Sequence, residues 1–388
     1  MHIPAHRIVF TDDEIEDAKN ATEQVMRNGQ MILGKYTKQF EEEYAQLHGR
    51  KYGVAVSSDT AAIEIALRIY GVGEGDKVLF PANGFYGVVI PVLRCGAEPV
   101  FFDIDWNENL FVNAYEIESL IHIHNPKALI LMHTGGLVAS SSKAVGKICK
   151  DNNVICIEDA AHAPGAKMNG LYAGSFGDVS CFSLYATKPI NAGEGGMLLT
   201  DDIGVAELAK QYRNYGRTAT FSSSICAYQG YSWRLTEIQA AIGLGQVRRQ
   251  DEIREERDKI AAIYDCMIAL FSSMEDMVYT FNKGTESNWY RYLMVLPEGC
   301  TYADKIMLKQ YLSRNYMISI PGDVYEMPVP HQPVWGGIYD DQEYPQAKEW
   351  GNRHFALPIY NSLTQDEQWY VVESVDYAIK KLIGGDMV

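Results

Sequence analysis

The sequence predicts an α/β fold, with a large domain built around a mainly parallel sheet and a smaller α+β domain after it. Short, nearly continuous apolar runs recur at 53–57, 77–81, 99–103, 128–132, 154–157, 179–182 and 197–200, the pattern of strands buried on both faces. Apolar and small residues at helical spacing fill the gaps between them, as the crossovers of a parallel sheet require. The chain has 388 residues, 47% hydrophobic and 22% charged, which suits two domains with ordinary water-soluble cores.

Thr11 followed by Asp12, Asp13 and Glu14 opens a helix over 11–28, with acids in the first turn where the helix dipole favours them. The strand at 53–57 runs through Ser57, Ser58, Asp59 and Thr60, all capping residues, into a helix that reaches Tyr70. The strand at 77–81 is followed by a helix ending at Arg94, and the remaining strands alternate with crossovers to Thr200. One long helix is expected over 236–270, apolar and small up to Val247 and charged beyond. Such a helix passes from one domain to the next, which divides the chain into 1–247 and 248–388. In the second part, alternation at 289–296 predicts a strand and 304–315 a helix. A proline-rich loop at 321–333 and a last helix at 365–382 complete it.

Bulk properties exclude several function classes. The net charge of −16 repels phosphate backbones, and the Arg248–Arg249 cluster is interleaved with Asp251, Glu252, Glu255, Glu256 and Asp258. That stretch is a solvated, ion-paired helix face and not a nucleic-acid site. No stretch reaches the roughly 20 apolar residues of a membrane span, and the N-terminus has no basic segment leading into an apolar one. Seven scattered cysteines without paired spacing predict free thiols in a reducing cytoplasm, with neither a disulfide framework nor a metal site.

Ligands of parallel-sheet domains bind beyond the carboxyl ends of the strands, and four features fall at such ends. Ser58-Asp59-Thr60-Ala61 opens a helix, where backbone N–H groups and the Thr60 hydroxyl can cradle a phosphate. Taken alone it is an ordinary cap. The run from Val154 ends in Glu158, Asp159 and His162. An acid there can hold a protonated ring nitrogen, as pyridoxal phosphate requires, and Asp159 is the candidate. His162, three residues on, can approach the same ligand. Phe85, after the strand at 77–81, can stack on a planar ring, although a core or lid role would account for it equally. Ser183 and Lys188 follow the strand at 179–182 and precede a glycine cluster. Ser183 can reach a phosphate, and a partly desolvated lysine can form a Schiff base. A solvated loop lysine would explain Lys188 in isolation. Anion cradle, ring stack, ring-nitrogen acid and Schiff-base lysine on one sheet edge together point to pyridoxal phosphate.

On these residues the chain resembles the DegT/DnrJ/EryC1/StrS sugar aminotransferases, which are fold-type I pyridoxal-phosphate enzymes related to aspartate aminotransferase. The resemblance covers nearly all of the chain, and its supporting segments begin at Ser57, Glu158, Phe182, Arg234, Pro328 and Leu357. The resemblance implies that Lys188 carries the cofactor as a Schiff base and shuttles a proton. It implies that Asp159 pairs with the pyridine nitrogen, that His162 lies near the ring hydroxyl and that Phe85 stacks on the ring. Thr60, the Ala61 backbone and Ser183 would hold the phosphate, and Tyr185 and His331 would face substrate. It further implies a homodimer with shared active sites, glutamate as amino donor and a keto- or aldehydo-sugar as acceptor. Nucleotide-linked deoxysugars are the commonest acceptors, used for lipopolysaccharide, other surface polysaccharides or natural products.

The chain departs from the family pattern at three places. Ser232 stands where the partner-reaching segment has asparagine, Asp59 where the phosphate turn has glycine, and His331-Gln332-Pro333 lacks a leucine. Asp59 is expected to face away from the phosphate or to cap the helix. Sugar 3-dehydratases of the family carry histidine in place of the lysine, so Lys188 favours transamination. A non-enzymatic regulator would show a decayed site or a basic segment, and neither is present. A nucleotide-binding oxidoreductase would need a glycine turn that Gly71, Gly73 and Gly75, following a helix, do not supply.

Overall fold

The structure, a computed structural model, describes residues 1–218, 224–339 and 343–384. In chain order its elements are α1 (Asp12–Asn28), α2 (Lys35–Leu47), β1 (Tyr52–Val56), α3 (Asp59–Ile69), β2 (Lys77–Pro81), α4 (Tyr86–Arg94), β3 (Glu98–Phe102), α5 (Ala114–His124), β4 (Ala128–Met132), α6 (Ser142–Asp151), β5 (Ile155–Asp159), β6 (Lys167–Met168), β7 (Leu171–Tyr172), β8 (Val179–Ser183), β9 (Gly196–Thr200) and α7 (Ile203–Tyr212). There follow α8 (Glu237–Arg248), α9 (Gln250–Ile268), β10 (Thr285–Glu286), β11 (Tyr292–Val295), α10 (Tyr302–Tyr316), α11 (Pro345–Arg353), β12 (His354–Leu357) and α12 (Gln365–Ile383).

The main sheet has seven strands in the order β1-β9-β8-β5-β4-β2-β3. Its pairs are parallel from β8 through β5, β4 and β2 to β3, and β9 runs antiparallel between β1 and β8. The expected mainly parallel sheet is therefore present. Because β9 is reversed, its first residue, Gly196, lies beside Val56 and Ser183 at the carboxyl ends of β1 and β8.

Both faces of this sheet are covered. Val54, Ile63, Phe80, Ile130 and Leu198 bury one face under α3, α4 and α7. Phe40, Phe182, Met197 and Leu244 bury the other under α2 and α8, next to a cluster of Phe111, Leu129 and Val145 from α5 and α6. Each such side chain contributes about 1.5–3 kcal/mol on burial. A second core of Tyr264, Tyr292, Leu308, Phe355 and Val372 joins α9, α10 and α12 to the two-stranded β11–β12 sheet. Ile3, at the start of the chain, packs into this second core and bridges to Ile318.

The single long helix expected over 236–270 is two helices. Arg249 leaves helical geometry at φ −100°, ψ 5°. Its guanidinium pairs with Glu14 of α1, and the side chain of Gln250 is buried. This tertiary anchoring overrides a local pattern that would have supported one continuous helix. The expected strand at 289–296 shortens to β11, because Trp289 takes a left-handed conformation with φ 53°.

Candidate active site

A cavity of about 550 Å³ opens above the carboxyl ends of the main sheet, with Thr60, Phe85, Asp159, His162, Ser183, Tyr185 and Lys188 in its wall. Seven of the sequence-predicted residues therefore come together.

The β1–α3 turn supplies the anion cradle. Ser58 caps α3, its hydroxyl accepting from Ala61 N–H at 3.1 Å. The Ala61 N–H expected for a phosphate is thus already engaged by its own helix cap. Among the described residues, the N–H groups of Asp59 and Thr60 and the Thr60 hydroxyl have no protein acceptor or donor. They sit where a helix N-terminus favours an anion. Gly196 packs against this turn so tightly that a Cβ would overlap the Ser58 carbonyl and lie 2.6 Å from Asp59 N. The glycine cluster after Lys188 is needed there for close approach.

Of the two roles expected of Asp59, the cap is taken by Ser58 instead. Asp59 is only 9% exposed, its residue borders the cavity, and its Oδ1 is buried with no hydrogen-bond partner among the described residues. Burial pushes its carboxyl well above the usual range, and nearby Asp159 pushes the same way against the opposing pull of Lys188.

Strand alternation separates the two acids of β5. Glu158 is fully buried and accepts from Gly174, Phe176 and Gly177 N–H at 2.7, 2.6 and 2.6 Å, beside His133 Nε2 at 2.9 Å. Burial opposes its ionisation, but His133, Arg50 and these N–H groups outweigh burial and hold it below its ordinary value. Glu158 is structural. Asp159 points into the cavity, with Oδ1 accepting from Ala161 N–H at 3.0 Å. Burial raises its pKa, while the Ala161 bond and Lys188 pull it back.

Lys188 is 9% exposed, with Nζ 4.6 Å from the centroid of the Tyr290 ring. Burial lowers its pKa, opposed by Tyr290 and Asp159 and reinforced by Arg291. That is the direction an amine nucleophile needs. His162 is buried between Tyr290 and Tyr325, at ring distances of 4.4 and 5.6 Å. Its Nδ1 accepts from Gly135 N–H at 3.3 Å and its Nε2 lies 3.3 Å from the Tyr325 hydroxyl. Burial, with Lys188 and Arg291, holds its pKa well below the ordinary value, so it is neutral. Phe85 is 58% exposed and lies against Tyr325, with Gly87 leaving room between its ring and Thr60.

Two predicted residues lie elsewhere. His331 sits on a 329–331 turn against Tyr344, away from the cavity wall. Ser232 is exposed, accepts from Arg234 Nη2 at 2.7 Å, and does not line its own chain's cavity. The structure adds Tyr290, Arg291 and Tyr325, which sequence reasoning missed. They come from a strand approach and a loop more than a hundred residues beyond Lys188, with no motif of their own.

A lysine amine and a carboxyl buried in one cavity, next to an anion cradle at a helix start, define a pyridoxal-phosphate enzyme of fold type I. The donor set fits the cofactor: cradle for the phosphate, Asp159 for the ring nitrogen, Lys188 for the aldehyde. The chain belongs to the DegT/DnrJ/EryC1/StrS aminotransferase family, whose model matches residues 12–376. It is a pyridoxal-phosphate-dependent aminotransferase. It is 30% identical over 377 residues to the spore coat polysaccharide biosynthesis protein SpsC of Bacillus subtilis, covering 94% of this chain and 95% of that one. It is 30% identical over 375 residues to GDP-perosamine synthase of Escherichia coli O157:H7, covering 97% and 98%. Among solved structures, DesV of S. venezuelae in complex with a ketimine intermediate matches with a TM-score of 0.87 at 25% identity, over 98% of this chain and 99% of that one.

Proposed function

We propose that this aminotransferase moves an amino group from glutamate to the carbonyl of a keto- or aldehydo-sugar, most readily a nucleotide-linked deoxysugar, for surface polysaccharide or natural-product synthesis. The observation that carries the reading is Lys188, buried and facing the same cavity as Asp159. GDP-perosamine synthase and the dTDP-3-amino-3,4,6-trideoxy-α-D-glucose transaminase of Micromonospora megalomicea, 30% identical over 372 residues, support a nucleotide-sugar acceptor.

When bound, the cofactor supplies an electron sink for the carbon that carries the transferred nitrogen. In this reading Asp159 keeps the proton on the ring nitrogen, which sustains that sink. The free N–H groups of residues 59 and 60, with Thr60 and Ser183, hold the phosphate. Lys188, with its proton affinity lowered by burial, would accept the substrate's α-proton and return it to the carbon on the other side of the transferred nitrogen. Neutral His162 and the Tyr325 hydroxyl would lie near the ring hydroxyl, and Phe85 would stack on the ring. Tyr185, 47% exposed, is the first contact for an incoming sugar.

We take the enzyme to be a cytoplasmic homodimer of chains divided near Val247. All seven cysteines are free and no described helix is long and apolar enough to cross a membrane, which supports the compartment. Exposed Tyr215, Tyr228 and Tyr231 surround Ser232, which supports a partner surface there. The separate core around Tyr264 and Tyr292 supports the division.

The test is spectroscopic. Glutamate added to the loaded enzyme should remove the absorbance band of the lysine-bound cofactor, and one class of keto-sugar should restore it. Failure of every sugar, with restoration by a simple keto acid alone, would reject a sugar acceptor.

A further inference from the structure

Lys188 borders a second, much smaller cavity besides the one above the sheet. It lies where the N-terminal segment, the loop after β8, α8, α9 and the segment before β11 meet. Its volume of about 20 Å³ leaves room for one occupant of roughly the size of a water molecule. The wall holds Arg7, Lys188, Arg257 and Arg291, and no aspartate or glutamate among the described residues. None of the four forms an ion pair among the described residues.

Arg257 is the most buried of them, at 7% exposed. Its Nε donates to Asn361 Oδ1 at 3.1 Å, and its Nη1 to the Trp289 carbonyl at 2.8 Å and the Ile359 carbonyl at 3.5 Å. Its Nη2 has no hydrogen-bond partner among the described residues. Two acids reach the chamber only through amides of its wall. Asn361 Nδ2 donates to Glu256 Oε2 at 2.6 Å, and Gln246 Nε2 to Glu14 Oε1 at 2.5 Å. Glu14 is itself paired with Arg249. Burial first, and the charge of Arg291 second, push the Arg257 pKa down to about 10, against Tyr290 and Glu256. Burial lowers Lys188 as well, and Arg291 acts in the same direction against Tyr290, Asp159 and Asp59.

A buried charge is costly unless an opposite charge answers it. A water molecule fits the volume but leaves the clustered cations repelling one another. A small anion fits the volume and offsets that repulsion, while phosphate, sulfate and carboxylates are too large for it. We propose that this chamber beside Lys188 binds a single halide ion, chloride by abundance, with Arg257 Nη2 as its donor. The ion holds a proton more firmly on the Lys188 nitrogen, which ties the pH response of the site to chloride. The site does not depend on which acceptor the enzyme uses, so failure of every sugar in the test above leaves it standing.

Crystals of the holoenzyme soaked in bromide, whose anomalous scattering marks a halide directly, test the site without any substitution. An anomalous peak in contact with Arg257 Nη2 is expected. A water there, with no anomalous signal, overturns the proposal. In solution, wild type and Arg257→Gln are compared in chloride and in gluconate, which is too large for the chamber, at equal ionic strength. Chloride should raise the wild-type unfolding midpoint by about 2 °C over gluconate, and the difference should vanish in Arg257→Gln. The pH at which the lysine-bound cofactor changes its absorbance should rise by about 0.5 unit with chloride in wild type alone. Chloride effects of equal size in both forms place the ion elsewhere and overturn the site. So does a bromide peak with no chloride response in solution. If Arg257→Gln does not fold, the wild-type bromide peak and chloride response decide the matter by themselves.

Discussion

The two walls of the cavity are built in different ways. One wall comes from the main sheet: the β1–α3 turn, the end of β5 and the loop after β8 place Thr60, Asp159, Ser183 and Lys188 within a few residues of strand ends. The other comes from the segment before β11 and the loop after α10, which bring Tyr290, Arg291 and Tyr325 across from a different part of the chain. The first wall has the groups a phosphate and a pyridine ring require. The second has the aromatic rings of Tyr290 and Tyr325 and a guanidinium that forms no ion pair among the described residues. In the proposed reading, the cofactor-holding groups thus sit at the ends of the main-sheet strands, and the facing wall comes from connections of the second part of the chain.

The sharpest way to break this division is to remove the anchor of the first wall. Lys188→Ala should abolish the absorbance band of the lysine-bound cofactor and lower turnover by about a thousandfold or more. The fold should stay intact, with a thermal unfolding midpoint close to that of the wild type. A variant that keeps both band and turnover would mean that the chemistry does not run through Lys188. A smaller effect is expected at Gly196, which has no chemistry of its own. A Cβ there overlaps the Ser58 carbonyl and crowds Asp59 N, so backbone must shift. Gly196→Ala should cost about 1–3 kcal/mol of stability and weaken cofactor binding, measured by thermal unfolding and by fluorescence titration. Equal cofactor affinity in the variant would show that the cradle does not depend on the β9 contact.

The same division governs what the sequence makes legible. Strand ends in a parallel sheet are marked by apolar runs, and the residues after each run face the ligand edge, so Asp159, Thr60, Ser183 and Lys188 can be found without coordinates. Tyr290 and Tyr325 cannot, because nothing local distinguishes a tyrosine that crosses to another wall from one that fills a core such as Tyr264 or Tyr292. The long helix over 236–270 fails for a related reason. Its break falls at Arg249, whose side chain pairs with Glu14, more than two hundred residues away. Asp59 does not take the cap, which goes to Ser58 one residue earlier, and its burial beside the cradle raises its carboxyl's pKa instead.

Asp59 therefore offers the finest probe of the first wall. Its pKa in the folded protein is raised, by burial first and Asp159 second. The unfolded chain thus loses this proton at lower pH than the folded chain does. Between those two values the folded state binds more protons, and stability falls as pH rises. Cofactor-free Asp59→Asn, which has no proton to lose, should gain thermal stability over wild type as pH is raised from the ordinary carboxyl range towards neutrality, with the two converging in acid. Cofactor affinity should follow the same trend, because an ionised Asp59 beside the β1–α3 cradle opposes the phosphate. Titrations at pH 5 and pH 8 measure this directly. A wild-type affinity that strengthens with pH relative to Asp59→Asn would show that the carboxyl is ionised and paired in the folded protein, and that its missing partner comes from outside the chain.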